Sequence, residues 1–438
     1  MKRLITTIFA LAILLTNNAK AQRTFNNLDS LLSYATAQST TLQSGEIKMS
    51  QAKKAKLAAI VGVLDPIGSA SYNFTNNTKQ QTSLFPGETF GGQPGTYKEV
   101  QMGMQYNNNL SNYNEIKLIN ASGWMNFKLA AVNIDLTSTD NKITQKSFYE
   151  SVAATYFNIV NLQEQLKATE QNLIASDSLL QIANHKYEQG LVKLQDVNDT
   201  KANYINTNES CNQLKYLLQQ QYLGLKILTD IPETDSIIIT QPVGTSTSVM
   251  LPKIEYNDIN LKSSELREKA AFASYRQLQT TILPTLSFVN SNSTQQYPSS
   301  AQVYSSSDKW YKSSYIGLKF SVAIPSANTV SQRYKAKYDY QLSQKNTQHI
   351  KNKTELEYKQ LGIDYSKAIS QWESNTEVYE LKKESYEKNL NLYSEGLLGL
   401  DQTLNSYNAM VNSNYNRISS AINVLLAQSK IDINNKIK

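Results

Sequence analysis

The chain of 438 residues has a single cysteine, Cys211, so no disulfide forms within it and oxidative cross-links do not hold the fold together. It has two histidines, His185 and His349, far apart in sequence and in neither an HxxxH nor a CxxC-type ligand spacing. No Gly-x-Ser-x-Gly elbow, phosphate-cradling glycine loop or dinucleotide fingerprint occurs. These absences give an expectation of no catalysis, no metal and no cofactor. Beyond the N-terminus there is no run of 18 or more apolar residues, so no transmembrane helix is available. A membrane-resident form would have to be a β-barrel. The formal charge is +7, and removing Lys2, Arg3 and Lys20 with the leader described below lowers it to +4. That balance is too weak to point to nucleic acid.

What the chain does have is tyrosine, 27 of them, with abundant Asn, Gln and Ser. Such a composition suits long wet surfaces and membrane-interface girdles. Met1-Lys2-Arg3, the apolar run Leu4 to Leu15 and the small residues of Ala19-Lys20-Ala21 predict a secretory signal peptide over 1–21. The residue after the expected cut is Gln22 and not Cys, so that cut creates no acylation site.

Two proline-free stretches, Ala121 to Tyr187 and Ala327 to Tyr393, organise the rest. In the first, Ile159, Leu166, Leu173, Leu180 and Tyr187 recur every seven residues; the same slots of the second hold Tyr365, Trp372, Tyr379, Tyr386 and Tyr393. A sustained seven-residue repeat predicts a helix packed lengthwise on another. At 1.5 Å per residue each stretch would run roughly 100 Å, a strut and not a core helix. After breaks at Gly190 and Gly396, return helices carry Val197, Tyr204, Cys211, Leu218 and Leu225, and then Leu404, Val411, Ile418 and Leu425. On this pattern Cys211 is a small buried hydrophobe.

Period-two alternation marks strands before each strut. Ala70, Tyr72 and Phe74 alternate with polar residues; so do Val100, Met102, Met104 and Tyr106, and, most clearly, Ile316, Leu318, Phe320, Val322 and Ile324. The chain therefore reads as one module written twice. The first repeat spans 22–229, with helices at about 26–65, 121–187 and 194–228 and strands at about 67–76 and 98–118. A proline-punctuated linker covers 230–256. The second repeat spans 257–438, with helices at about 257–282, 327–393 and 400–432 and strands at about 285–292 and 314–324.

This arrangement resembles the TolC family of outer membrane efflux proteins over nearly the whole mature chain. Its most specific element is the motif at the end of each strut. The first copy runs Tyr187-Glu188-Gln189-Gly190-Leu191-Val192 into Asp196 and Asp199, and the second runs Tyr393-Ser394-Glu395-Gly396-Leu397-Leu398 into Asp401, Gln402 and Asn405. The resemblance implies a mainly helical fold with a transmembrane β part. In it, a homotrimer forms a twelve-strand outer-membrane barrel, four strands per chain, continued by a coiled-coil α-helical barrel in the periplasm. Independent of resemblance, four strands cannot close alone, and an open edge is not tolerated in lipid. Val100, Met102, Met104, Tyr106, Ile316, Leu318 and Phe320 are expected to face outer membrane lipid.

The resemblance further implies an exit duct of a tripartite efflux or type I secretion system in the outer membrane of a Gram-negative bacterium. Its partners would be a periplasmic adaptor (a membrane fusion protein) and an inner-membrane transporter, with no nucleic acid. Asp196, Asp199, Asp401, Gln402 and Asn405 are the candidates for the periplasmic gate. Gln402 and Asn405 depart from relatives with acidic residues there. For Asp196 and Asp199 the other reading is complementation of the helix dipole, and both can hold. Tyr187, Gly190, Leu191, Val192, Tyr393, Gly396, Leu397 and Leu398 are candidates for the tip turn and adaptor contact; for the apolar pairs, packing within a trimer is the other reading. The competing function is a non-transporting coiled-coil protein of the envelope, which leaves the paired strands unexplained.

Overall fold

A computed structural model describes residues 22–241 and 252–438; the expected leader and part of the expected linker lie outside them. The element order is β1 (Gln22–Phe25), α1 (Leu28–Gln38), α2 (Thr40–Leu64), β2 (Ile67–Asn76), β3 (Gln81–Pro86), a 3₁₀ turn (Gly87–Phe90), β4 (Tyr97–Met102) and β5 (Tyr106–Ile119). Then come α3 (Ala121–Glu188), α4 (Leu194–Thr229), β6 (Ser236–Ile239), α5 (Ile259–Thr280), β7 (Thr285–Gln296), β8 (Trp310–Ser321), α6 (Ala327–Ser394) and α7 (Leu400–Lys436). The two struts, α3 and α6, are each 68 residues long. Among the described residues no helix is long and apolar enough to cross a membrane. The chain divides into two compact units, one made of residues 49–137 and 264–347 and the other of the rest.

The first unit holds an antiparallel sheet in the order β2-β5-β7-β8. Strands from the two repeats meet at its centre, where β5 pairs with β7, leaving β2 and β8 as edges. One face carries Ile116, Phe288, Ile316, Leu318 and Phe320, exposed in the single chain, and at the other end of the strands Tyr72 and Leu110. Asn112, Asn114, Asn290 and Asn292 sit between these two apolar bands on the same face. The opposite face is mostly polar, with Ile67 and Val289 in the row of Glu115 as its aliphatic exceptions. Ser71, Ser111, Ser293 and Ser313 form one row across all four strands, and the Lys319 Nζ donates to Glu115 at 3.0 Å.

The single returning strand expected over 98–118 is divided. Val100 and Met102 lie on β4, which pairs with β3 in a separate hairpin, and Gly103 turns the chain with φ +125° before β5 begins at Tyr106. Val100, Met102 and Met104 therefore do not share the sheet face of Ile316, Leu318 and Phe320. Tyr106 does join the main sheet and stacks on Phe74 at 6.2 Å. Alternation reports which residues share a side of a strand, not which strand they pair with. The helix expected at 26–65 is likewise divided at Ser39, whose backbone is extended.

In the second unit, β1 and β6 pair in parallel, bringing the first described residues beside a strand of the expected linker. Their side chains Phe25, Ile237 and Ile239 join Leu31, Val152, Tyr156, Ile159 and Leu225 in the principal core. Toward its C-terminal end, the buried seam of α3 departs from the expected heptad. Leu166, Leu173 and Leu180 are half-buried and Tyr187 is exposed, while Thr169, Asn172, Ser176, Leu179 and Ala183 are buried at 3/4 spacing. These buried residues keep a seven-residue repeat of their own, Thr169, Ser176 and Ala183 with Asn172 and Leu179, so this end of α3 buries a different stripe made mostly of small and polar residues. The aromatic heptad of α6 keeps its place, with Tyr365, Tyr386 and Tyr393 buried. Leu179 of α3 packs with Tyr393, so a small-residue seam is matched by a bulky one.

Candidate functional site: the helix tips

Each strut ends in the same turn. Gly190 and Gly396 have φ of +72° and +81°, in the left-handed region where an added Cβ costs about 1–2 kcal/mol. In the first copy the Leu191 N–H donates to Lys186 O at 2.9 Å and the Gly190 N–H to Tyr187 O at 2.9 Å. The second copy repeats this, Leu397 to Leu392 O at 2.9 Å and Gly396 to Tyr393 O at 3.1 Å. These paired bonds form a Schellman motif, which satisfies the last carbonyls of the helix and reverses the chain. The glycine of the Tyr-x-x-Gly signature is thus required by backbone geometry.

The turn sends one apolar side chain outward in each copy. Leu191 is 66 % exposed and Leu397 is 71 % exposed, while Val192 and Leu398 are half-buried. Two exposed leucines, each following a glycine turn, form matching apolar points on the two tips.

The polar residues divide between the copies. Asp196 is half-buried and its Oδ2 accepts the Lys193 N–H at 2.9 Å, closing the first turn of α4. Gln402, in the same slot of the second copy, makes no such bond; the helix there starts at Gly399 without a side-chain cap. Asp199, Asp401, Gln402 and Asn405 are exposed.

The two tyrosines also part. Tyr187 is 44 % exposed, whereas Tyr393 is 2 % exposed among Leu179, Ile182, Leu390, Leu400 and Leu404. Burial and the nearby Asp196 carboxylate push the Tyr393 hydroxyl pKa up. That hydroxyl has no hydrogen-bond partner. Lys186, Leu179 and Tyr407 also build the tip, and hydrophobic periodicity alone misses the first two. Tyr407 rings against Tyr386 at 5.4 Å, and its hydroxyl donates to Asn172 O at 2.8 Å. The tips hold no arrangement of nucleophile and base; what they offer are exposed apolar points and exposed polar side chains around a capped turn.

Residues 69–229 match the family model described as outer membrane efflux protein. Among curated proteins, none matches this chain in sequence. Solved structures are similar along nearly the whole chain. The outer-membrane channel OprN superposes with a TM-score of 0.74 at 14% identity, covering 94% of this chain and 90% of that one. The outer membrane protein VceC from Vibrio cholerae gives 0.69 at 14% identity, covering 92% and 95%. The Campylobacter jejuni CmeC outer membrane channel gives 0.69 at 16% identity, covering 93% and 85%.

Proposed function

We infer that this protein is an outer-membrane exit duct, because residues 69–229 match the outer membrane efflux protein model and the whole chain has the fold of solved outer membrane channels. It passively conducts solutes from the periplasm and an inner-membrane pump to the cell exterior. The observation that carries the reading is the sheet order β2-β5-β7-β8, with apolar bands on one face, a mostly polar opposite face and two edges left unpaired within the chain. In lipid, unpaired backbone groups are untenable, so β8 of one chain pairs with β2 of the next. Three chains make twelve strands, inside the range of outer-membrane barrels. The polar face, with its serine row and the Glu115–Lys319 pair, then lines water. Energy for transport comes from the partner pump, since the chain carries no nucleotide-binding motif.

Leu191 and Leu397, the exposed apolar points of the two tips, dock a periplasmic adaptor that covers them. Asp199, Asp401, Gln402 and Asn405 line the periplasmic entrance, with Asp196 serving as the helix cap beside them. The test is purification from outer membranes followed by single-channel recording. A detergent-stable trimer with a conducting pore is expected; a monomer soluble without detergent overturns the duct in favour of an envelope spacer. Leu191→Asp combined with Leu397→Asp is expected to keep trimer and pore but abolish export in cells. Export unaffected by that pair rejects the docking role.

A further inference from the structure

The helices next to the sheet have an uneven charge. Four helical segments of three turns each adjoin strands: 53–64 of α2, 121–132 of α3, 269–280 of α5 and 327–338 of α6. Together they hold nine lysine and arginine residues and not one aspartate or glutamate. Farther along the same helices acidic residues return, with Glu46, Asp135, Glu265, Glu268 and Asp339. The purely basic zone thus occupies about 18 Å of each helix from the strand end. Aromatic residues share it, and Trp124, Tyr334 and Tyr338 are more than half exposed.

Within this zone α5 and α6 lie side by side, with Phe272 and Tyr340 rings 5.1 Å apart. A groove of about 220 Å³ between them is lined by Tyr275, Val330, Arg333, Tyr334 and Lys337. Arg333 and Lys337 are one turn apart on one face of α6, and neither has a carboxylate partner among the described residues. A water occupies roughly 30 Å³, so the groove admits a group several times larger. Val330 to Lys337 lie within the first three turns of α6, about 5–15 Å along the helix from its start. The headgroup layer of a bilayer is roughly 5–8 Å deep on each side of the hydrocarbon, so the near end of the groove, at Val330 and Arg333, falls at that depth and Lys337 lies at its outer edge.

We propose that this groove binds the phosphate of an anionic phospholipid headgroup in the periplasmic leaflet. The Arg333 guanidinium presents a planar fork that matches two phosphate oxygens, and Lys337 adds a mobile point charge. Tyr275 and Tyr334 place amphipathic rings at the level where tyrosine is favoured. The basic zone around the groove concentrates anionic lipid there, since its four helical segments carry nine cations and the carboxylates Asp65, Glu268 and Asp339 stand only at their ends. The inference rests on the outer-membrane reading above.

The test uses the full-length trimer in nanodiscs of phosphatidylcholine containing a fixed fraction of phosphatidylglycerol, with native mass spectrometry counting lipid retained per trimer. Wild type is expected to enrich phosphatidylglycerol over the bulk ratio, and Arg333→Gln with Lys337→Gln to lower that enrichment on the order of tenfold. Lys201→Gln with Lys215→Gln, on α4, is expected to change nothing. On wild type alone, raising salt from about 0.05 M to about 0.5 M should remove the preference, which guards against a variant that fails to fold. An inserted wild-type trimer with no preference, or an Arg333/Lys337 variant that retains as much phosphatidylglycerol, overturns the headgroup site and leaves the duct intact. A wild type that inserts in neither lipid overturns both.

Discussion

The Lys186 ammonium lies 5.1 Å from the centre of the Tyr393 ring, joining the last turn of one strut to the last turn of the other. The contact has no mirror image, because the repeat counterpart of Lys186 is Leu392, which carries no charge, and Tyr187, the counterpart of Tyr393, faces solvent. Near-identical motifs thus do different work at the two tips.

Tyr393→Ala is expected to destabilise the tip by about 3 kcal/mol through the cavity it leaves. Tyr393→Phe should be neutral or stabilising, since it removes a buried hydroxyl with no partner. Tyr187→Ala should cost less than about 1 kcal/mol. Thermal unfolding of the purified trimer orders the three.

Gly190→Ala and Gly396→Ala place a Cβ in open space but on a left-handed backbone. Each is expected to cost about 1–2 kcal/mol from conformation alone. Hydrogen exchange of the Leu191 and Leu397 amides, which close the two turns, should accelerate in the matching variant and not in the other.

Asp196→Ala removes the cap on Lys193 and should cost about 1 kcal/mol, whereas Asp196→Asn retains most of the effect. Gln402→Ala, in the uncapped copy, should be near neutral in stability. Asp199→Asn should also leave stability unchanged while shifting the cation preference of single-channel current. Unchanged ion selectivity removes Asp199 from the proposed entrance lining.

Burial raises the Tyr407 hydroxyl pKa from its ordinary 10.0 to about 12. The folded state therefore holds the proton more tightly than the unfolded chain does. The resulting stability is fully present below pH 10 and is lost as pH rises toward 12, by about 2–3 kcal/mol for a shift of this size. Tyr407→Phe is expected to remove one proton's share of that alkaline loss, measured by denaturant midpoints across the range. An unchanged pH dependence places the titrating group elsewhere, with Tyr156, Tyr222, Tyr386 and Tyr393, whose pKa values are also raised by burial, among the candidates.

Much of this was legible residue by residue. The glycine turns follow from Tyr-x-x-Gly, and both long helices from uninterrupted, proline-free periodicity. The exposed Leu191 and Leu397 follow from their place after the glycine. The buried line Thr169, Asn172, Ser176, Leu179 and Ala183 did not show itself, because most of its members are small or polar and carry little apolar signal. The hairpin of β3 and β4 was hidden for a related reason. Its first strand, β3, lies inside a glycine- and proline-rich stretch that reads as loop, and its second, β4, reads as the start of one longer strand because Gly103 breaks what alternation presents as continuous.

Local order, then, was set by the chain itself: helix, strand and turn depend on the φ/ψ preferences and spacing of neighbouring residues. Tertiary structure alone decided that β5 joins β7, that β1 lies beside β6, and that Tyr393 is buried while Tyr187 is not. Those choices bring together segments far apart in sequence. They are settled by which arrangement covers apolar surface and pairs backbone groups across the whole chain, a condition that no single stretch contains.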